Sequence, residues 1–127
     1  LRKIVDNFIL ARGAQEITMS DDIKNWMHLF RWIVKHIRDE YGIDEGLLNR
    51  TAVLEQDLGI GEETIEEIVD TVARTFAINF PDGTLNEVLK LEELCLLSAW
   101  MHGLYKEPDF LGAAYVDACR AVNPRSQ

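Results

Sequence analysis

Apolar residues recur at the three- and four-residue spacing of amphipathic helices along most of this chain, and strand-like alternation is almost absent. The clearest case is residues 61–77, where one face is apolar and the opposite face is acidic. The apolar face carries Ile65, Ile68, Val69, Val72 and Phe76. A chain that buries such stripes without strands has to pack helix against helix. We therefore predict an all-α fold.

An earlier helix is predicted between Ser20 and Gly42. Ser20 is a favourable N-cap residue, and Asp21 and Asp22 suit the positive end of the helix dipole. Gly42 is favourable just beyond the C-terminal end. The predicted inner stripe is Ile23, Trp26, Met27, Phe30, Val34, Ile37 and Tyr41. Trp32 falls roughly opposite that stripe, which predicts a second contact, either with a terminal helix or with a partner.

The other elements are predicted from turn residues and spacing. Residues 43–60 form a long connection whose scattered apolar residues should pack onto the helices. Thr84 caps a helix that continues through residues 91–104, and a final helix covers about 109–122 before a polar tail. The predicted divisions are a helical appendage (1–19), a helical bundle (20–105) and a C-terminal helix and tail packed on the bundle (106–127).

Composition and charge restrict the classes of function. The 127 residues suit one domain, 47% of them are hydrophobic, and no apolar run reaches the ~20 residues of a membrane span. Since no secretory signal is visible, we expect a cytoplasmic protein with reduced, buried thiols at Cys95 and Cys119. The net charge of −9 disfavours nucleic acids and membranes and favours a basic protein partner.

Residues 57–81 carry a more specific pattern. They begin with Asp57-Leu58-Gly59, continue through the acidic helix and close with a phenylalanine, an apolar residue and Pro81. Over roughly residues 23–101 this order resembles the acyl carrier protein family. The resemblance implies a four-helix bundle core, here with an extra helix at each end. The chain is similar to small bacterial acyl-carrier-like proteins of unknown function.

The chain departs from that family where the prosthetic group is attached. Acyl carriers place a serine three residues after the glycine of this motif and attach phosphopantetheine there, but the position here is Glu62. Thr64 is two positions late, and Ser20, Ser98 and Ser126 lie elsewhere. A carboxylate suits the first turn of a helix but supplies no nucleophilic hydroxyl. We therefore expect no phosphopantetheine and no other cofactor.

Candidate catalytic or metal-binding groups are sparse. His28, His36 and His102 lack the spacing of a metal site, and no glycine-rich phosphate loop is present. Acidic pairs four residues apart occur after residue 61, but a solvated pair without a cleft does not indicate acid–base catalysis. We expect no metal ion, no catalytic residues and no enzymatic activity.

The acidic helix face is the strongest candidate site. From Glu55 to Asp70 the chain has no Lys or Arg, and its acidic residues are Glu55, Asp57, Glu62, Glu63, Glu66, Glu67 and Asp70. In acyl carriers the partner enzymes contact this helix with basic patches, so the resemblance implies a similar role. Charge alone favours basic partners as well, and a merely solubilising face is the alternative. The candidate partner-binding residues are Glu62, Glu63, Glu66, Glu67 and Asp70.

These observations favour a non-catalytic protein that binds a basic partner, such as an acyl-processing enzyme. One alternative is an acyl or lipid carrier role in fatty acid or polyketide-type synthesis, without covalent attachment. Its candidate pocket residues are Met27, Phe30, Phe76, Trp100 and Met101. A further alternative is an immunity or regulatory protein that blocks a basic enzyme. The choice between monomer and dimer stays open.

Overall fold

A computed structural model describes residues 25–126 of the chain. This part is all-α, as the spacing of apolar residues predicts. Its five α-helices are α1 (Trp26–Tyr41), α2 (Glu62–Phe76), α3 (Thr84–Glu87), α4 (Leu91–Met101) and α5 (Ala113–Val122). Single 3₁₀ turns lie at Glu45–Leu47 and Pro124–Ser126. The predicted appendage, residues 1–19, lies outside the described residues.

α1 begins at Trp26 rather than directly after Ser20. Asn25 has an extended backbone, and its Oδ1 accepts hydrogen bonds from two backbone N–H groups of the first turn, at 2.9 and 3.1 Å. Asn25 is therefore the N-cap, while Ser20 and Ile23 lie outside the described residues. The predicted C-terminal end is confirmed, since Gly42 follows the helix in the left-handed conformation with φ 66°.

The buried face of α1 differs from the predicted stripe. Leu29, Ile33 and Ile37 have no exposed surface, whereas Met27 is 46% exposed. The remaining predicted members in the described region are partly buried around the core: Trp26, Phe30, Val34 and Tyr41. Apolar residues occupy much of the circumference of α1, so spacing did not single out the side that its neighbours cover.

Trp32 packs against the C-terminal end of α2, a neighbour that neither expectation named. Its ring meets Phe76 edge-on with ring centres 5.1 Å apart. It also stacks on His36, one turn later in α1, at 5.2 Å. These two contacts leave Trp32 half-buried and join the helices on this side of the molecule.

α2 matches its prediction to within one residue at each end. All five residues of the predicted inner stripe are buried: Ile65, Ile68, Val69, Val72 and Phe76. Gly61 precedes the helix without a side-chain cap, and Ala77 ends it in the left-handed conformation with φ 54°. The amphipathic spacing therefore predicted both the extent of α2 and its buried face.

α4 is the central helix of the described region. Its buried residues lie around the whole circumference: Leu91, Leu94, Cys95, Leu97, Ser98, Ala99, Trp100 and Met101. α1 packs along it on one side, and the last 3₁₀ turn covers another part. A helix that is apolar on all sides is typically enclosed by its neighbours, as α4 is.

The predicted continuation of α3 into α4 is wrong. The chain is extended at Val88 and Lys90, between the two helices. Here it pairs with the connection that precedes α2: the Leu54 N–H donates to the Leu89 carbonyl, and the Leu91 N–H donates to the Ala52 carbonyl, both at 2.9 Å. These long-range hydrogen bonds replace those that a continuous helix would have made.

The connection between α1 and α2 packs onto the helices, as its apolar residues predict. Its buried residues are Leu48, Ala52, Leu54, Leu58 and Ile60. The Val53 N–H donates to Asp57 Oδ2 at 2.8 Å, and Gly59 adopts φ 68°. The Asp-Leu-Gly motif thus closes this loop with a carboxylate, buries a leucine and places glycine where positive φ is required.

The C-terminal segment differs from its prediction. α5 begins at Ala113 rather than near residue 109, directly after Gly112, whose N–H donates to Glu87 Oε1 at 2.9 Å. The residues after α5 are polar, and they pack against the helices, since Asn123 and Ser126 are buried. None of the helices among residues 25–126 combines the length and apolarity needed to cross a bilayer.

Arg125 joins the last 3₁₀ turn to the end of α2. Its Nη2 donates to the carbonyl oxygens of Phe76 at 3.1 Å and Ala77 at 2.7 Å. The Trp100 indole Nε1 donates to the Ser126 carbonyl at 3.2 Å. A cation here satisfies carbonyl groups that a helix end leaves without intrahelical partners. The turn therefore links α2 with α4.

Candidate functional site

Three of the predicted partner-binding residues line a groove along α2. Glu62, Glu66 and Asp70 lie one turn apart on the same side of the helix and are exposed. The opposite wall of the groove is the segment 78–86, and its volume is about 560 Å³. Spacing of four residues places successive side chains in a row along a helix. We call these three residues the groove row.

The other two predicted residues, Glu63 and Glu67, lie toward α1. Glu67 accepts a hydrogen bond from the Tyr41 hydroxyl, with 3.2 Å between the oxygens. Glu63 lies one turn before Glu67, and both are exposed. We call this pair the α1 row. The acidic face of α2 is thus two neighbouring rows, only one of which borders the groove.

The groove has both acidic and apolar lining residues. Its polar lining includes a fourth carboxylate, Asp82, together with Asn79 and Asn86, and no Lys or Arg is among its lining residues. Its apolar lining is Val69, Ala73, Ile78, Phe80, Pro81 and Leu85. Such a surface can hold a cationic group near the carboxylates while the apolar part of the same side chain contacts the apolar lining residues.

None of the five α2 carboxylates forms an ion pair within residues 25–126. Lys35, Arg38, Arg50 and Arg120 each pair with an acid outside α2. Acids in the first turn are stabilised by the helix dipole, but this effect fades beyond that turn. Like charges four residues apart cost a few tenths of a kcal/mol. Of the later acids of α2, Glu67 accepts the hydrogen bond from Tyr41, whereas Glu66 and Asp70 have no stabilising role that the described fold explains.

Glu62 is the first residue of α2 and lies exposed at its N-terminal end. Its carboxylate lies near helix N–H groups that have no intrahelical acceptor. It offers no hydroxyl, and the next hydroxyl along the helix, that of Thr64, is half-buried. These groups do not fit the attachment of phosphopantetheine.

The five residues predicted to line an acyl-chain pocket lie in different surroundings. Phe76, Trp100 and Met101 are at most 3% exposed and belong to the core, while Met27 is 46% exposed. Phe30 is half-buried at the edge of the core. None of the five lines the groove or the smaller pocket beside it.

A smaller pocket of about 100 Å³ also borders Glu62. Its apolar lining is Val53, Leu54, Ile65, Leu85, Val88 and Leu89, and its polar lining is Glu55, Glu62 and Asn86. Leu89 is 64% exposed. Sequence reasoning placed Leu89 inside a helix and so missed this pocket. No sequence signal indicated it, because the exposure of Leu89 follows from the long-range pairing before α4.

Two buried histidine nitrogens, His36 Nε2 and His102 Nδ1, have no hydrogen-bond partner within the described residues. Burial lowers the pKa of both histidines. The positive charge of Arg125 lowers the pKa of His102 further. The nearby carboxylates of Glu40 and Asp39 act in the opposite direction on His36. The surroundings of both rings therefore favour the neutral form of the imidazole.

Both thiols of the chain are buried. Cys95 and Cys119 are free, buried thiols, and burial raises the pKa of Cys95 and raises that of Cys119 to about 11. A thiol that stays protonated is a poor nucleophile. Within residues 25–126 no three His, Cys, Asp or Glu side chains are placed to hold a metal ion.

Comparisons of the chain with models of protein families, with curated proteins and with solved structures find no match. The described features that bear on function are the charge of α2 and the two cavities beside it.

Proposed function

We propose that this protein is a non-catalytic, acyl-carrier-like helical bundle that binds a basic partner protein through α2, without a covalent prosthetic group. The observation that carries the proposal is the unpaired acidic face of α2. Its five carboxylates are exposed and form no ion pair within residues 25–126. A basic partner would supply the missing counter-charges.

The order of the described elements supports the carrier-like part of the proposal. A long first helix, α1, is followed by a packed connection, the acidic α2 and the short α3. Glu62 stands at the first position of α2, where the resemblance places the prosthetic-group serine of a carrier. The scaffold would keep the recognition helix of a carrier while lacking the group for covalent loading.

Physical chemistry favours association over self-stabilisation at this face. A partner's Lys and Arg side chains displace no intramolecular ion pair when they approach α2, so the electrostatic gain is not offset by a lost pair. Complementary charges mainly raise the association rate, and salt screens them over about 8–10 Å. Binding at α2 should therefore weaken steeply as the salt concentration rises.

Charge reversal on each row tests the proposal. We expect Glu66→Lys/Asp70→Lys on the groove row to abolish capture of basic proteins, and Glu63→Lys/Glu67→Lys on the α1 row to weaken it. Each double variant reverses two negative charges. The measurement is quantitative mass spectrometry of proteins retained by the immobilised full chain at low and high salt.

The matched control is Asp109→Lys/Asp117→Lys, which makes the same change in charge at two exposed positions outside α2. It should retain the proteins that the unmodified chain captures. Equal losses in all three double variants would show a response to net charge alone. Unchanged capture by both α2 variants would contradict the proposed function.

A further inference from the structure

The smaller pocket and the groove form one continuous surface around the start of α2. Glu62, Leu85 and Asn86 line both cavities. Glu62 therefore lies where the two cavities meet. The groove adds the carboxylates of Glu66 and Asp70, and the pocket adds apolar side chains. A single bound segment can reach both.

Leu89 is held at this pocket by its backbone rather than by its side chain. Its N–H donates to Glu93 Oε1 at 2.8 Å, and its carbonyl accepts from the Leu54 N–H at 2.9 Å. Both bonds leave the side chain free to stay 64% exposed. Covering an exposed apolar side chain with an apolar group of a partner removes both from water, which lowers the free energy of the complex.

We propose that the basic partner inserts one aliphatic side chain into the pocket beside Leu89, next to the Lys and Arg residues that contact α2. This inference rests on the proposed function and specifies its ligand as a cationic segment with a single aliphatic anchor. Charge complementarity defines the segment, because no Lys or Arg lines either cavity, while Glu55, Glu62, Glu66 and Asp70 do.

The size of the pocket defines the anchor. About 100 Å³ is room for only a few heavy atoms, because one water molecule takes up about 30 Å³ of the liquid. A leucine-sized side chain fits this space, whereas a long acyl chain does not. A small apolar anchor surrounded by charged contacts is a common arrangement at protein interfaces.

Two short synthetic peptides test the anchor. They carry the same Lys and Arg residues and differ at one central position, which is Leu in the first peptide and Ser in the second. We expect the leucine peptide to bind the full chain roughly tenfold more tightly, since it buries an aliphatic group against Leu89. Fluorescence anisotropy gives both dissociation constants at low and high salt.

The variant Leu89→Ser should bring the leucine peptide to the affinity of the serine peptide and leave the serine peptide unchanged. The matched control is Leu47→Ser, which changes a leucine that is 49% exposed and lines neither cavity. It should preserve the tenfold difference.

The possible outcomes test the aliphatic anchor and the proposed function separately. If the serine peptide binds in a salt-sensitive way but leucine adds nothing, the anchor is overturned and the proposed function stands. If the difference between peptides persists in Leu89→Ser, the anchor binds elsewhere and the inference is wrong. If neither peptide binds, the inference and the proposed function both fail.

Discussion

Ala77 is the residue at which the backbone of this protein is most clearly strained. It ends α2 at φ 54° and ψ 49°, and it is the one non-glycine residue with positive φ among residues 25–126. The left-handed conformation costs a residue with a Cβ atom roughly 1–2 kcal/mol, and glycine avoids most of that cost. The Arg125 guanidinium holds the Ala77 carbonyl in this strained position.

The substitution Ala77→Gly should therefore stabilise the fold, by up to about 1 kcal/mol after the greater entropy of glycine in the unfolded chain is subtracted. The measurement is the free energy of unfolding in urea. The matched control is Ala73→Gly in the interior of α2, which should destabilise by about 1 kcal/mol. Destabilisation by both substitutions would show that the strain at Ala77 is negligible.

At the scale of elements, the end of α2 depends on a turn that lies far along the chain. Arg125 donates to two carbonyl groups at that end, and the same turn is bonded to the Trp100 indole of α4. α2 is thus fixed by α1 through Trp32 and by the last turn through Arg125. Its acidic face projects from a helix that is held at its C-terminal end.

The variant Arg125→Met should loosen the C-terminal end of α2 and cost about 1–2 kcal/mol, because two carbonyl groups lose a charged donor. Hydrogen exchange should accelerate at the amides of Ala77 and Ile78, which bond back to Ala73. Arg31→Met, at an exposed position of α1, is the matched control. Equal exchange rates in both variants would refute a capping role for Arg125.

The elements also show where the sequence was sufficient and where it was not. The buried face of α2 was predictable because a narrow apolar stripe opposite a continuous acidic face allows only one side of the helix to face the core. The buried side of α1 was not, since its apolar residues form a broad face on which Leu29 is buried but Met27 is 46% exposed. The break before α4 was not predictable either, because it depends on hydrogen bonds from Leu54 and to Ala52 that are distant in sequence.

The candidate site was also predictable only in part. The spacing of acids predicted an exposed face on α2, and the five residues are exposed. Their division into two rows depends on the segment 78–86 and on Tyr41, whose positions are set by tertiary packing. The pocket beside Leu89 has the same origin. Sequence periodicity describes one helix at a time, whereas a cavity forms between two segments whose relative placement periodicity does not give.

For the whole molecule, the buried histidines couple stability to pH. Burial places the pKa of His36 and His102 below 6.5, whereas the unfolded chain titrates them near that value. As the pH falls through 6.5, the unfolded chain binds protons first, so the folded state loses stability. The free energy of unfolding should therefore be higher at pH 7.5 than at pH 5.5.

The double variant His36→Gln/His102→Gln removes both titrating rings and should flatten this dependence. The measurement is urea denaturation at a series of pH values between these limits. A slope equal to that of the unmodified protein would mean that other groups are responsible. A slope of opposite sign in the unmodified protein would contradict the effect of burial on both histidines.

The enclosure of α4 by its neighbours affects how its amino-acid sequence can change during evolution. Substitutions at the eight buried positions of this helix meet close packing, so both volume and shape restrict the amino acids that these positions accept. The acidic face of α2 is exposed, so Glu and Asp can exchange there with little effect on the core. Sequences descended from a common ancestor would therefore retain the apolar residues of α4 longer than the individual acidic residues of α2.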